Sequence, residues 1–569
     1  MPQAPKARER FARMIRTLAP PALLGTALLG TALFGLAACA TTTPAETEPR
    51  ISLQTMQEAV RTLSSDAFEG RMPGTQGEAA TIAYLVERFR AAGLQPGNNG
   101  SWVQEVPLIN ITGSDFAPLT VGDRQFAHGE DWVGVSYRPV AETRLDASDL
   151  VFVGYGINAP ERRWNDYAGV DMRGKVALIL VNDPDYASEG LDGPFGGRAM
   201  TYYGRWTYKF EEAARQGAAG ALIVHEDFAA SYGWNVVETS WSGTQAYADT
   251  GASAAQQTVI NGWVQQDTAR AIFAGAGMDM AEMAAAASRP GFRAVSLGQR
   301  ASTRFDNTVR RFTSNNVIAM LPGRSRPDEY VLHTAHWDHL GVCAEGEADP
   351  ICNGAVDNAT GTGALVALAE AHAAAGPTER SQVFLAVTAE ESGLLGAEYY
   401  GANPVLPLAQ TVAGINMDGI AVRGESRDVV ARGAGKSELD AYLASVLAVQ
   451  GRVSSPDPNP EAGYYYRSDH FPMAKRGVPM FYVKSGLDLV TGGTAAGQAA
   501  EAAYRANAYH APGDEYDPAW DWSGLMQDLD LYYRLARNLG NNRDWPEWYE
   551  GDEFREARES ACAASTRGC

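Results

Sequence analysis

Three short apolar runs in this chain each lead into residues that could bind a metal ion. Tyr330–Thr334 precedes His336-Trp337-Asp338-His339, Val383–Val387 precedes Glu390-Glu391, and Val412–Met417 leads straight into Asp418. Asp357-Asn358 falls between the first two, at the start of an apolar helix predicted over residues 361–375. Imidazole nitrogen and carboxylate oxygen are donors that borderline cations such as zinc accept together. A pair of ions about 3.5–4 Å apart needs a bridging carboxylate and further ligands for each metal, and these residues are enough in number. Singly, each element has an ordinary reading: a surface His/Asp cluster, or carboxylates favoured at a helix N-terminus. Their arrival at successive strand ends, with His333, His336 and His339 drawn from only eight histidines, points to a metal site.

The elements around these residues indicate how they are positioned. From 315 onward, strand and helix patterns alternate, which argues for an α/β domain with a largely parallel sheet. Ligands of such sheets bind outside the carboxyl ends of the strands, where the metal-binding residue types fall. Upstream, Ile82, Leu85, Val86 and Phe89 form a helical core stripe closed by Gly93. Residues 145–300 change character. Val151–Val153, Val176–Val181 and Ala221–Val224 read as short strands, with an Ala-rich helix between Phe210 and Gly217. No close constellation of His, Asp and Glu lies there, so the block is predicted to be a separate accessory insert. With 569 residues, two or three structural units are expected. The predicted divisions are 50–144 and 301–545 for the main domain, 145–300 for the insert and 546–569 for a polar tail.

The N-terminus has a targeting pattern. Lys6, Arg8, Arg10, Arg13 and Arg16 precede an apolar run that stops at Cys39, and Leu36-Ala37-Ala38-Cys39 looks like a lipobox. Residues 1–39 are therefore expected to be a lipoprotein-type signal, with Cys39 acylated and 40–49 as a flexible tether. An ordinary signal peptide or a single membrane anchor is the alternative. Either way the protein is expected to be exported, to the periplasm or cell envelope. The remaining cysteines form two close pairs, Cys343/Cys352 and Cys562/Cys569, expected as local disulfides in an exported protein, with free thiols as the alternative. A formal net charge of -21 argues against a nucleic-acid partner.

The ordered set His336-x-Asp338, Gly354-Ala355-Val356-Asp357-Asn358, Glu390-Glu391, Asn416-Met417-Asp418 and Tyr509-His510 resembles the co-catalytic zinc exopeptidases of metallopeptidase family twenty-eight (M28). Phe68-Glu69-Gly70-Arg71, Pro73-Gly74-Thr75 and Ser468-Asp469-His470-Phe471 are similar to other blocks of that family. Asp166-Tyr167 with Gly174-Lys175-Val176 looks like its protease-associated insert. The resemblance implies a mixed, largely parallel α/β sheet flanked by helices, with an inserted β-rich protease-associated domain, and two zinc ions per chain. Carried over, His336 and Asp418 bind one zinc, Glu391 and His510 the other, and Asp357 bridges both. Asp338 orients His336 through its other ring nitrogen, Glu390 is the general base, and Tyr509 stabilises the oxyanion. The family also implies a cis Asp357–Asn358 peptide.

The implied reaction is exopeptidase hydrolysis of peptides, with metal lowering the pKa of a bound water to about 7 and Glu390 relaying its proton. An aminopeptidase leads. A carboxypeptidase for acidic C-terminal residues would need an arginine cluster, and the sequence offers only Arg423 and Arg467 as isolated candidates. A one-zinc glutaminyl cyclase and an inactive binding relative are further alternatives. The second lacks support, because all five ligands are present. The cysteine-bearing segment 340–353 is expected to form a disulfide-closed loop narrowing the entrance. His225 and His333 are expected in ordinary structural environments, and neither His339 nor His470 is assigned a metal.

Overall fold

A computed structural model describes residues 51–249, 256–344 and 346–565. The signal segment with Cys39, the tether and Cys569 lie outside the described residues. Helices α1 (Leu53–Leu63) and α2 (Gln76–Ala91) precede the long strands β1 (Val103–Ser114) and β2 (Glu142–Phe152). The insert region contains β3 (Val176–Leu180), α3 (Trp206–Arg215), β4 (Gly220–Val224) and β5 (Ile260–Val264). Strands β6 (Val295–Leu321) and β7 (Arg326–His336) lead to α4 (Thr360–Ala375). The remaining main elements are β8 (Arg380–Val387), β9 (Thr411–Asn416), β10 (Met480–Ser485) and α5 (Ser523–Asn541).

The fold is mixed α/β, with a large, largely parallel sheet flanked by helices. Strand β7 pairs in parallel with both β8 and β9, and β9 pairs in parallel with β10. Every residue of β8 and β9 is buried, as fits strands covered on both faces. On one face Met56, Val60, Leu365, Leu368, Leu525 and Leu529 form a continuous apolar layer between sheet and helices. Helix α4 is apolar nearly all round because it lies beneath that layer. Helices Leu395–Ala402 and His470–Ala474 cover the other side.

The predicted boundary at 300/301 falls inside β6, an unbroken strand of 27 residues. This strand pairs antiparallel with β2 near its start, with β1 in its middle and with β8 at its end. Strands β3, β4 and β5 run parallel within the same seventeen-stranded sheet. The insert is therefore joined to the main domain by backbone hydrogen bonds, and it carries helices as well as strands. Among the described residues, no helix is long and apolar enough to cross a membrane.

The segment expected to be a polar tail is packed as far as it is described. Trp548 and Phe554 are buried, and the Trp548 indole donates to the Gly477 carbonyl at 2.8 Å. Helix Arg555–Ala564 then carries Cys562, which is disulfide-bonded.

Candidate metal centre

The three parallel strands deliver their chemistry at one edge. His336 is the last residue of β7 and lies opposite Val387 at the end of β8, while Thr334 lies opposite Asn416 at the end of β9. The chain turns sharply after β8 through Ala389, whose φ of +52° is in the left-handed region. That turn brings Glu390 and Glu391 over the strand ends, where the Glu390 N–H donates to Asp338 Oδ1 at 3.1 Å. Asp418 follows β9 by two residues. His510, also at a positive φ of +57°, enters after helix Gly493–Asn507. Such conformations cost energy at non-glycine residues and persist where the surroundings impose them.

Asp357 lies in the turn before α4, and its peptide bond to Asn358 is cis. The turn is fixed from several sides. Gly354 has φ +55°, and a Cβ there would collide with the Asp357 carbonyl oxygen. The Asn358 amide donates to the carbonyls of His336 and Met417 and accepts from the N–H groups of Gly361 and Gly419. One side chain thus joins the ends of β7 and β9 to the start of α4.

The cluster itself is compact. His336 Nε2 lies 3.4 Å from Asp357 Oδ1 and 3.8 Å from Asp418 Oδ1. His510 Nε2 lies 3.4 Å from Asp357 Oδ2 and 3.1 Å from Glu391 Oε2. Asp357 thus turns one oxygen to each histidine. Ligand atoms roughly 2.0–2.2 Å from a tetrahedral zinc stand roughly 3.3–3.6 Å apart; both Asp357 separations fall in that range, and those of Asp418 and Glu391 lie just above and just below it. His336 Nδ1 donates to the Asp338 backbone carbonyl at 3.1 Å. A neutral imidazole then presents its Nε2 lone pair to the carboxylates. Lone pair facing carboxylate is repulsive unless a proton or a metal cation lies between them.

Asp338 departs from the expected arrangement. Its carboxylate stands 3.8 Å from His336 Nδ1 and is engaged by the Glu390 N–H, so its backbone carbonyl is the nearer orienting group. A third imidazole, His339, to which the sequence assigns no metal, joins the cluster. Its Nδ1 donates to Glu391 Oε1 at 2.7 Å, and it forms a possible metal-holding group with Asp357 and Glu391. His333 and His225 occupy structural environments. The former stacks on Phe384 and bonds to Gln382, and the latter meets the Tyr232 carbonyl. His470 is buried between Tyr465 and Tyr482. Tyr509 is 41% exposed, with its ring stacked 3.9 Å from that of His510.

Charge in the cluster is strongly coupled. Burial opposes ionisation of Asp418, but Lys484 and His336 outweigh it and bring its pKa to about 2. Burial also opposes the charge on His510, yet Asp357 and Glu391 raise it to about 10. Glu390 is pushed well above the usual carboxylate range by burial and by Glu391, Asp469 and Asp418, against the pull of His336.

Two further residues support the site: Arg71, which closes the Phe68–Arg71 block, and Asp514, which no sequence motif marks. Arg71 is fully buried and donates to the carbonyls of Leu63, Trp337, Asn353 and Gly354, tying the end of β7 to the Asp357 turn. Asp514 accepts the N–H groups of Val356 and Asp357, one on each carboxylate oxygen. The disulfide Cys343–Cys352 is present. Contrary to expectation, the described residues of 340–353 do not line the cavity that opens on the cluster. That cavity, of about 420 Å³, reaches from Asp357, Glu390 and His510 to Tyr464 and Arg505. Arg423 and Arg467, isolated in the sequence, line the same cavity, with Arg432, Lys484 and Arg505 beside them.

Imidazole and carboxylate donors converging outside the carboxyl ends of a largely parallel sheet define a candidate metal centre in an α/β fold. Residues 316–533 match the model described as peptidase family M28. A search of curated proteins finds no match. Among solved structures the chain is similar to an aminopeptidase from Aneurinibacillus sp. strain AM-1, at 17% identity over 87% of this chain and 96% of that one, with a TM-score of 0.45. It is also similar to BSAP, a zinc aminopeptidase from Bacillus subtilis, at 15% identity over 90% and 100% of the two chains and a TM-score of 0.39. A peptidase M28 precursor from Shewanella amazonensis SB2B gives 15% identity over 87% and 98%, with a TM-score of 0.36.

Proposed function

We propose that this peptidase is a dinuclear zinc exopeptidase, an aminopeptidase by preference. The observation that carries the reading is the division of Asp357, one oxygen toward His336 and the other toward His510, as a carboxylate shared between two ions would be placed. His336 and Asp418 would hold one zinc, and Glu391 and His510 the other. When bound, zinc supplies Lewis acidity toward the scissile carbonyl and lowers the pKa of water. Glu390, beside this set yet outside it, accepts a proton from the attacking water. As the water oxygen bonds to the carbonyl carbon and the C–N bond breaks, Glu390 passes that proton to the leaving amine. Tyr509, stacked on His510, would donate to the developing oxyanion.

The test is zinc content together with hydrolysis of aminoacyl chromogenic substrates, for the native chain and Glu390→Ala. Native protein that binds zinc but hydrolyses no substrate would sink the reading. A carboxypeptidase for acidic C-terminal residues is the second reading, favoured by the basic side chains on the cavity wall. N-acetylated dipeptides decide between them, because blocking the amine abolishes aminopeptidase cleavage and leaves carboxypeptidase cleavage intact. The N-terminal pattern further supports export with a lipid on Cys39, which intact-mass analysis of the mature protein would test.

A further inference from the structure

Tyr464 lies at the centre of a basic wall. The guanidinium carbons of Arg432, Arg467 and Arg505 stand 4.6, 5.3 and 5.5 Å from the centroid of its ring. Arg423 and Lys484 line the same cavity. Lys484 Nζ lies 5.5 Å from the ring of Tyr482, whose hydroxyl donates to Asp418. Five cationic side chains thus share one cavity with the carboxylates Asp357, Glu390, Glu391, Asp418, Glu501, Asp514, Glu515 and Asp528.

Internal neutralisation is incomplete. Arg432 pairs with Asp457, and Glu501 is shared by Arg423 at 2.8 Å and Arg505 at 2.9 Å. Apart from Glu390 and the metal-ligating set, the other lining carboxylates are engaged elsewhere: Asp514 by backbone N–H groups, Glu515 by Asn353, and Asp528 by Arg452. Arg467 has no ion pair within 4.0 Å among the described residues, and Lys484 has none either, although its charge acts on Asp418. Arg467 immediately precedes Ser468, whose hydroxyl donates to Asp418 at 2.6 Å. It is exposed at the cavity, so a substrate can reach it without displacing the core.

We propose that the substrates are anionic peptides whose carboxylate docks on Arg467 against Tyr464, with Arg432 and Arg505 reinforcing the field. This rests on the exopeptidase reading above and specifies its substrate class. A planar guanidinium suits a carboxylate through paired N–H donors. The carboxylate has two possible sources: an acidic side chain on the terminal residue, or the far α-carboxylate of a short peptide. Charge-assisted hydrogen bonds of one such group correspond to roughly 10- to 150-fold in affinity.

The experiment measures kcat/KM with zinc-loaded native protein, Arg467→Gln and Arg467→Lys. Glutamyl and glutaminyl p-nitroanilides test the side-chain source. Leucyl-leucine and its C-terminal amide test the α-carboxylate source, and N-acetyl-leucyl-glutamate against N-acetyl-leucyl-glutamine covers the blocked-amine direction. The acid is expected to exceed its amide by roughly 10- to 150-fold in at least one pair. That ratio should collapse toward one in Arg467→Gln, chiefly through KM, and recover in part in Arg467→Lys. Added salt should narrow it too. Arg270→Gln, at an exposed side chain on helix Gln266–Gly275, is the control for unrelated charge loss. Acid and amide cleaved alike by the native protein, or a preference untouched by Arg467→Gln, overturns the proposal while leaving the exopeptidase reading standing. Hydrolysis of none of the six substrates removes that reading and this proposal with it.

Discussion

In the insert, Lys209, Asp183 and Asp166 form a buried cluster of charge whose needs are met by the protein itself. Lys209 Nζ donates to the carbonyls of Tyr155 and Asn182 at 2.6 and 2.9 Å. Both oxygens of Asp183 accept from Thr201, and those of Asp166 accept from Ile157 N–H and the Trp164 indole. The cluster at the ends of β7, β8 and β9 is less deeply buried, with Glu390, Glu391 and Asp418 half-buried and His510 exposed, and it is organised differently. Both oxygens of Asp469 and Asp338 Oδ2 have no hydrogen-bond partner among the described residues, and neither does His339 Nε2. Asp357 meets imidazole nitrogens that carry lone pairs when neutral. A buried group without a partner costs several times what a satisfied one does. The first cluster is complete as it stands; the second calls for cations.

The largest effect that would sharpen this contrast is expected from Asp357→Asn. Replacing the shared carboxylate should lower zinc content from about two ions per chain and reduce activity by more than the roughly 10- to 100-fold typical of outer partners. Metal analysis beside initial rates measures both. Full activity and full zinc content in this variant would break the comparison.

Glu390→Gln separates chemistry from metal holding. It should lower kcat by roughly 10²- to 10⁴-fold while zinc content stays at the native value. Loss of zinc in parallel with activity would instead make Glu390 a ligand. That outcome has a structural rationale, because His336, Glu390 and Glu391 also form a possible metal-holding group.

Lys209→Met probes the other side of the contrast. Removing one member of a buried charged set leaves the rest uncompensated, at a cost of roughly 3–5 kcal/mol. Burial brings Lys209 down to about 8 against the pull of Asp183 and Asp166, so the site disfavours the charge relative to water and the two carboxylates keep it protonated at neutral pH. Denaturant unfolding should show the loss, whereas kcat and zinc content of the folded fraction should be unchanged. A large fall in kcat would mean that the insert cluster belongs to the catalytic machinery.

Legibility in the sequence follows the same division. His336, Glu390, Glu391 and Asp418 could be read because each directly follows an apolar run, and parallel strands bring their carboxyl ends together. The α/β architecture was legible through the same alternation. The continuity of β6 was not, since its exposed stretches interrupt any apolar run across residue 300. Arg71 works by donating to four carbonyls, an arrangement that leaves no side-chain motif. The basic wall was hidden for another reason: Arg423, Arg432, Arg467 and Arg505 come from separate segments that only the fold assembles around Tyr464.

Asp514→Asn is expected to give the smallest effect, and it tests whether the site depends on backbone positioning. The native carboxylate accepts Val356 N–H at 2.9 Å on one oxygen and Asp357 N–H at 3.0 Å on the other, with the Tyr504 hydroxyl at 3.1 Å. An asparagine has one carbonyl oxygen, so one N–H keeps its acceptor and the other faces an NH₂ group. The bridge turn then loses a charge-assisted hydrogen bond worth roughly 1.5–3 kcal/mol. Part of that loss should appear as weaker zinc affinity, roughly 10-fold by analogy with other outer partners. The remainder should appear as lower stability. Competition with a chelator reads the first and denaturant unfolding the second. Unchanged affinity with lowered stability would show that the turn is held firmly enough by Gly354, Asn358 and Arg71 without Asp514, confining its role to folding.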